Sequence, residues 1–298
     1  MIQQPSTPTR WPWGPTAFEQ RVGNNLTRIV VAVVAIPLVL GAVWLGGHLF
    51  ALLAAAISVG ALLEFYRLAE AKGARPVRLL GILVSLLLVV LAAYSEQLGP
   101  AASRSLLLAL PLVATVTMTV RLFRAEGSAL LDVSATLAGM LYVSVGAAAL
   151  VALRNAPGIP VQGAYLLGCV MTSIWICDSA AYFVGRAFGQ HKLFERVSPK
   201  KSWEGAVAGA VAAVGAMIGL GGWAMPSMPI VHLAVIGGIA GVMGQIGDLA
   251  ESHLKRDAGI KDSSQILPGH GGLLDRFDSL LFVAPIVWVY LAIVALAV

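Results

Sequence analysis

The sequence predicts an all-α, polytopic integral membrane protein with about nine transmembrane helices. Hydrophobic residues make up 58% of the 298 residues, charged residues only 12%, and the mean hydropathy is +0.84. A soluble domain carries about 25% charged residues. A hydrocarbon core about 30 Å thick needs about 20 helical residues, and suitable apolar runs lie at residues 27–45, 49–69, 77–94, 104–121, 129–152, 162–185, 205–223, 230–250 and 279–297.

Three regions follow from this pattern. Residues 1–24 are rich in proline and threonine and are predicted to form a disordered cytoplasmic leader. Residues 25–160 are expected to hold the N-terminal membrane helices, of which the first is a retained helix and not a signal peptide. Residues 161–298 are expected to hold the catalytic membrane helices and the cytoplasmic loops, because the long polar stretches after the leader lie there.

Positive charge predicts the orientation of the chain. If the N-terminus is cytoplasmic and the spans alternate, every lysine and arginine except Arg104 and Arg154 falls on the inner side. We therefore expect a multi-pass protein of the inner (plasma) membrane whose polar loops face the cytoplasm. The net charge of +5 does not indicate a nucleic-acid partner, because the basic residues lie at membrane edges, where anionic headgroups attract them.

Acidic residues in the first five spans are few. Glu64 and Asp132 lie near predicted helix ends. We expect water to reach both carboxylates there and interpret them as interfacial structural groups.

The sixth span carries Asp178, Tyr182 and Arg186 at four-residue spacing, which places them on one helical face. A carboxylate within a membrane helix is costly and usually faces a cavity, so a functional role for Asp178 is favoured. The alternative is a structural pair with a cation from a neighbouring helix.

The next loop contains Lys192 and then Ser198, Lys200, Lys201 and Ser202 before the seventh span. Ser202 is predicted to be the N-cap of that span. Paired lysines beside a helix start can bind phosphate through ammonium charge and free backbone N–H groups. The alternative is that these lysines are only a topology signal.

The eighth span ends in a polar stripe, because Gln245, Asp248, Glu251, Ser252 and Lys255 recur at three- and four-residue steps. Two carboxylates one turn apart suit a divalent cation with oxygen ligands, and the lysine suits a phosphate that the cation bridges. A salt-bridge ladder that also includes Arg256 is the structural alternative.

A glycine-rich segment precedes the ninth span. Gly271 and Gly272 can take positive φ angles and approach a ligand closely, and His270 beside them is a phosphate contact or proton-transfer group by this interpretation. Asp275 and Asp278 follow at i,i+3 spacing. Acids at a helix start also interact with its dipole, so one of the two could be only a cap. We assign Asp275 to a metal and Asp278 to a supporting position.

Read together, these motifs resemble the signature of phosphatidate cytidylyltransferases, the CDP-diacylglycerol synthases. The resemblance is carried by Ser252-x-Leu254-Lys255-Arg256, Lys261-Asp262, His270-Gly271-Gly272 and Asp275-Arg276-Phe277-Asp278, with the earlier blocks at 178–186, 198–205 and 247–252. The motifs all lie in the C-terminal part of the chain. Gln190 stands where a lysine is expected.

The resemblance implies that the protein converts CTP and phosphatidate to CDP-diacylglycerol and pyrophosphate, with Mg2+ as the cofactor. It is also compatible with a second, monovalent cation and with a homodimer. It implies metal binding by Asp248 and Asp275, with Glu251 as a further ligand. It implies that the catalytic residues are Asp248, Lys255, Arg256, Asp275 and His270. It implies that the substrate-binding residues are Asp178, Tyr182, Arg186, Lys192, Ser198, Lys200, Lys201, Ser252, Lys261, Asp262, Gly271, Gly272, Arg276 and Asp278.

Two rival functions fit part of the sequence. A CTP-dependent polyprenol or dolichol kinase would share the membrane, the nucleotide and part of the site. An anion transporter would use Asp178 and Asp248 as an ion pathway, but it predicts charge at the middle of the bilayer in both halves of the chain. The aspartate pattern of CDP-alcohol phosphotransferases is not found.

Overall fold

The computed structural model describes residues 24–98, 100–124, 126–155, 160–264, 266 and 271–297. The helices in chain order are α1 (Asn24–Leu45), α2 (Gly47–Ala71), α3 (Arg78–Ala93), α4 (Ser95–Leu98), α5 (Pro100–Leu122), α6 (Ala129–Gly139), α7 (Val145–Arg154), α8 (Pro160–Phe188), α9 (Trp203–Ala224), α10 (Ile230–Asp257) and α11 (Leu274–Ala297). A π-helical segment, Met140–Ser144, joins α6 to α7.

The predicted all-helical membrane architecture is confirmed, and each predicted run coincides with a helix. Within the described residues, six helices are long and apolar enough to span a bilayer, namely α2, the continuous helix Ala129–Arg154, α8, α9, α10 and α11. The apolar parts of α1, α3 and α5 are shorter, at Ile29–Leu45, Arg78–Ala93 and Pro111–Leu122. The count of nine transmembrane helices therefore stays a prediction.

Helix α9 packs between α8 and α10 at very short range, because glycines line both contacts. A Cβ on Gly209 would lie 2.8 Å from the carbonyl oxygen of Cys177 on α8. A Cβ on Gly241 of α10 would lie 2.8 Å from Cα of Ala210. The backbones of these helices meet almost directly, which holds the polar ends of α8 and α10 beside the start of α9.

The structure corrects the expectation for Glu64 and Asp132, since both side chains are fully buried. Asp132 binds the equally buried Arg121 guanidinium at 2.7 Å and accepts a hydrogen bond from the Arg75 backbone N–H at 2.6 Å. Near this pair, the exposed Glu126 carboxyl has its pKa lowered by the hydrogen bond and the charge of Arg75. The sequence interpretation failed because helix ends in this half are covered by neighbouring loops.

The loop before α9 is a β-hairpin, which the sequence did not predict. Strand β1 (Lys192–Phe194) pairs antiparallel with β2 (Ser198–Ser202), so that Lys192 lies opposite Ser202. The prediction that Ser202 caps the next helix is confirmed, because its Oγ accepts a hydrogen bond from the Gly205 N–H at 3.2 Å. The hairpin places the two lysines of β2 at the start of α9.

Candidate functional site

Five elements bring their polar ends to one edge of the bundle: the C-terminal ends of α2 and α10, the starts of α9 and α11, and the hairpin. Lys72, just after α2, binds Asp257, the last residue of α10, at 3.1 Å. Lys201 at the end of the hairpin binds Asp248 of α10 at 2.6 Å. The motifs that lie far apart in the sequence therefore converge on the last three turns of α10.

The buried centre of this edge is Lys255, which lies between two carboxylates. Its Nζ is 2.6 Å from Asp275 Oδ1 and 2.5 Å from Glu251 Oε2, and all three side chains are almost fully buried. Glu251 is nevertheless poorly satisfied, since neither of its oxygens makes a well-directed hydrogen bond within the described part of the chain. A buried carboxylate with an open oxygen is costly unless another positive group completes it.

Asp275 also shapes the loop that surrounds it. Its Oδ2 accepts hydrogen bonds from the Gly272 N–H at 2.8 Å and from the Ser263 N–H at 3.0 Å. The single hydroxyl proton of Ser263 is shared between Asp275 Oδ2, at 3.0 Å, and Glu64 Oε2, at 2.8 Å. Gly271 adopts a positive φ of 82°, and a Cβ there would lie 2.7 Å from Asp275 Oδ2. The predicted positive φ is confirmed for Gly271, where the close neighbour is Asp275. A close approach of the glycines to a ligand stays a prediction.

Glu64 is a site residue that the sequence interpretation missed. Although it comes from α2, it accepts hydrogen bonds from the hydroxyls of Ser263 and Ser264 at 2.8 and 2.6 Å. It also accepts from the backbone N–H groups of Leu273 and Leu274 at 3.0 and 2.8 Å, at the start of α11. The available signal was an acid inside an apolar run, which is a functional candidate by default.

Asp248 occupies a more open position than Asp275. Its side chain is 37% exposed, and Ser252 donates a hydrogen bond to its Oδ1 at 3.3 Å while Lys201 holds Oδ2. Asp178 on α8 lies within electrostatic range of both Asp248 and Lys201. The predicted face of α8 is confirmed for two of its three residues, since Arg186 Nη1 donates to Tyr182 Oη at 3.0 Å.

The predicted polar stripe of α10 divides between two neighbours. Asp248 and Ser252 face Lys201, whereas Glu251 and Lys255 face Asp275. Gln245, one turn earlier, donates to the backbone oxygen of Ala206 on α9 at 3.0 Å and so has a packing role. The salt-bridge alternative is partly realised, because Glu251 and Lys255 form an i,i+4 pair.

Other predicted residues line the aqueous rim. Lys192, Lys200, Lys261, Asp262 and Arg276 are exposed, and Ser198 is half-buried in β2. Arg256 donates to the carbonyl of Ile260 at 3.0 Å, which closes the end of α10. The structure does not bring these side chains into the buried centre. His270 lies outside the described residues.

The carboxylates do not form a ready-made metal cage. Among the residues that the structure describes, no three His, Cys, Asp or Glu side chains are grouped as a metal-binding set. Lysines already hold Asp248 and Asp275, so the assignment of Asp248, Glu251 and Asp275 to a metal stays a prediction.

The fold and this edge define a polytopic membrane protein whose helix ends carry a cluster of charged side chains. Residues 26–294 match the cytidylyltransferase family. The phosphatidate cytidylyltransferase of Bacillus subtilis is 35% identical over 279 residues, which cover 93% of this chain and 98% of that protein. The proteins of the same name from Brucella suis biovar 1 and Synechocystis sp. are 34% and 31% identical, over 92% and 89% of this chain and 96% of each relative.

This chain belongs to the cytidylyltransferase family. The match covers α1 to α11, so the resemblance noted in the C-terminal motifs is confirmed and extends to the N-terminal helices.

Proposed function

We propose that this protein transfers the cytidylyl group of CTP to phosphatidate, forming CDP-diacylglycerol and pyrophosphate. The observation that supports this most strongly is the similarity to phosphatidate cytidylyltransferases along almost the whole chain. The geometry agrees with it, because a charged edge at the end of membrane helices can receive a water-soluble nucleotide and a lipid headgroup together.

The chemistry requires positioning more than covalent assistance. A phosphate oxygen of phosphatidate attacks the α-phosphorus of CTP in line, a new P–O bond forms, and the bond to the β-phosphate oxygen breaks as pyrophosphate leaves. The attacking oxygen is already ionised near neutral pH, so a protein nucleophile is unnecessary. Lys201 and Lys255, with the exposed Lys261 and Arg276, would neutralise the phosphates.

Magnesium fits the donor set of this site. The available ligands are carboxylate oxygens, and Glu251 presents a buried oxygen without a hydrogen bond among the described residues. Mg2+ is usually held by one or two carboxylates together with substrate phosphates, so a three-ligand protein cage is not required. We propose Asp248 and Glu251, one turn apart on α10, with Asp275 as the third acid. When bound, the ion would supply positive charge that offsets the charge developing on the leaving pyrophosphate.

We further propose that the site faces the cytoplasm of the plasma membrane, where CTP is available, and that the protein is a homodimer. The positive-inside distribution supports the first proposal. Gly215 and Gly219 of α9 support the second, because a Cβ on either would meet no described residue within 4 Å apart from the backbone of its own helix. Small residues facing outward allow another membrane helix to approach closely.

The test is label transfer by detergent-purified protein, with phosphatidate or a polyprenol as acceptor and with or without Mg2+. Magnesium-dependent entry of label from α-labelled CTP into a chloroform-soluble product, with phosphatidate only, is the expected result. Label that enters lipid only from γ-labelled CTP would identify a lipid kinase. No transfer from either nucleotide would overturn the proposal.

A further inference from the structure

The base of the hairpin is closed by a contact between His191 and Glu204. His191 Nδ1 lies 2.6 Å from Glu204 Oε1, and the backbone N–H of His191 donates to the two carboxylate oxygens at 3.2 and 3.3 Å. The backbone oxygen of His191 accepts a hydrogen bond from the Trp203 N–H at 2.9 Å. Residue 191 is therefore bound to the first turn of α9 by its ring and by both of its main-chain groups.

This contact lies where the chain enters and leaves the hairpin. His191 immediately precedes Lys192, which pairs with Ser202, and Glu204 follows that pair on the other strand. The chain that leaves α8 is also close to the cap of α9, because a Cβ on Gly189 would lie 2.6 Å from Ser202 Oγ. We call the pair of His191 and Glu204 the hairpin clasp, since it holds the two ends of the hairpin together.

The strand pairing by itself does not fix the position of Lys201. One residue separates Lys192 from Phe194 on β1. Three residues separate their partners Ser202 and Ser198 on β2, so the ladder is irregular between the two pairs. Lys201 lies in that irregular part, where the described ladder gives it no partner. Its backbone therefore needs a restraint from outside the ladder.

The ion pair of Lys201 with Asp248 cannot supply this restraint. The two side chains are 28% and 37% exposed, and ion pairs open to water contribute little to stability. A lysine side chain also loses much rotamer freedom when it is held in one geometry. The clasp acts on the same short segment, because Trp203, two residues after Lys201, donates its N–H to His191.

Glu204 is well placed to act as the fixed side of the clasp. It lies in the first turn of α9, where a carboxylate interacts favourably with the helix dipole. Its side chain is 28% exposed, whereas that of His191 is 78% exposed. The histidine is thus the mobile partner, and the carboxylate holds it against the helix.

We propose that His191 and Glu204 are positioning residues for Lys201. Their contact closes the hairpin and holds the Lys201 ammonium at Asp248, ready to meet the phosphates of the nucleotide. The inference rests on the proposed function for the identity of that nucleotide. The effect of the clasp on Lys201 does not depend on it.

The first test measures how fast an amine-reactive acetylating reagent modifies Lys201 in the full-length protein, mapped by mass spectrometry without substrate. A Lys201 side chain that leaves Asp248 becomes more accessible to the reagent. Lys200 is the internal control, because it lies on the same strand and is already exposed. His48→Ala is the control variant, because His48 is also exposed and its Nδ1 also has a side-chain partner, Tyr94 Oη at 3.4 Å.

We expect His191→Ala and Glu204→Ala each to accelerate the modification of Lys201 by about two- to fivefold, the range of a solvated ion pair. The rate at Lys200 should not change, and His48→Ala should change neither rate. The double variant of the clasp should react no faster than Glu204→Ala alone, because both substitutions break one contact.

The second test measures the KM for CTP and kcat in label transfer to phosphatidate. We expect His191→Ala to raise the KM for CTP by about two- to fivefold. In a Lys201→Ala background the same substitution should have no further effect, because the clasp acts through that lysine.

An unchanged rate at Lys201 would overturn the inference. Equal acceleration at Lys200 and Lys201 would also overturn it, since that result means only a loosened hairpin. A further rise in the KM in the Lys201→Ala background would exclude an action through Lys201. The modification rates need neither CTP nor lipid, so a failure of label transfer would count against the proposed function and not against the clasp.

Discussion

Asp248 and Asp275 are both central acids, but their oxygens are used differently. Asp275 has three backbone and hydroxyl donors on one oxygen and Lys255 on the other, whereas Asp248 is partly open to water. We expect Asp248→Asn and Asp275→Asn each to lower turnover by at least about a hundredfold, because both remove a carboxylate proposed to hold the metal ion, whose positive charge would offset the phosphates. Label transfer by correctly folded variants measures this effect.

Stability should separate the two residues. Asp275→Asn removes a charged acceptor from the 263–274 loop and should lower the Tm, whereas Asp248→Asn should change the Tm little. Unchanged turnover in either variant would remove that residue from the metal site. An unchanged Tm for Asp275→Asn would contradict the structural part of its role.

Glu64 allows a second prediction at the scale of one residue. Four donors converge on its buried carboxylate, and hydrogen bonds to charged groups contribute about 1.5–3 kcal/mol each. Glu64→Gln keeps the shape but points an amide N–H₂ at other donors, so we expect a loss of about 2–4 kcal/mol in the free energy of unfolding.

The matched control for Glu64 is Glu70→Gln on the same helix. Glu70 pairs with Arg78 at the surface, where ion pairs contribute about 0–1 kcal/mol. Thermal unfolding in detergent measures both variants. Equal shifts in Tm would show that Glu64 does not hold the loop as described.

At the scale of the element, two neighbouring lysines of the hairpin differ in their contacts. Lys201 binds Asp248, while Lys200 is exposed. We expect the double variant Lys200→Ala, Lys201→Ala to raise the KM for CTP, as the phosphate-binding interpretation requires. Lys201→Ala should account for most of the change, because it also leaves Asp248 without its cation. Normal kinetics together with inverted or unstable protein would support the topological role instead.

The α8–α9 contact yields a packing prediction. Gly209→Ala places a methyl group 2.8 Å from the Cys177 carbonyl oxygen, and overpacking of this kind costs about 1–3 kcal/mol. Gly238→Ala on α10 is the control, because its Cβ position has no neighbour within 4 Å among the described residues, its own helix backbone aside. We expect a lower Tm for Gly209→Ala only. Equal drops in Tm for the two variants would contradict the close α8–α9 contact.

The helices and the N-cap of α9 were largely predictable, because the length of an apolar run, the position of a proline and the capping residue Ser202 are local features of the sequence. Most of the acids and lysines that meet at this edge lie in motifs that the sequence singled out, whereas Glu64 was missed. Their pairing was not predictable, since the contacts of Glu64 with Ser263 and of Tyr142 with Asp278 join residues 199 and 136 positions apart. The burial of Asp132 depends likewise on a loop that folds over it, which no local pattern encodes.

At the scale of the whole molecule, the two ends of each membrane helix should lie in different compartments. His48 is the second residue of α2 and Arg196 lies in the turn of the hairpin, and both are exposed. Alternation of the spans places Arg196 on the cytoplasmic side with the site and His48 on the opposite side. Each can be replaced by cysteine after Cys169 and Cys177, which are buried and unbridged, are changed to serine.

In intact cells, a membrane-impermeant maleimide should label His48→Cys but label Arg196→Cys only after the membrane is permeabilised. The reason is that positive charge crowds the edge formed by the hairpin, α10 and the start of α11, and such segments are retained inside. The reverse labelling pattern would place the site outside, where CTP is scarce, and would contradict the cytoplasmic orientation. Label at both positions in intact cells would show that the chain inserts in both orientations. That result, like the reverse pattern, would contradict a single inward-facing orientation.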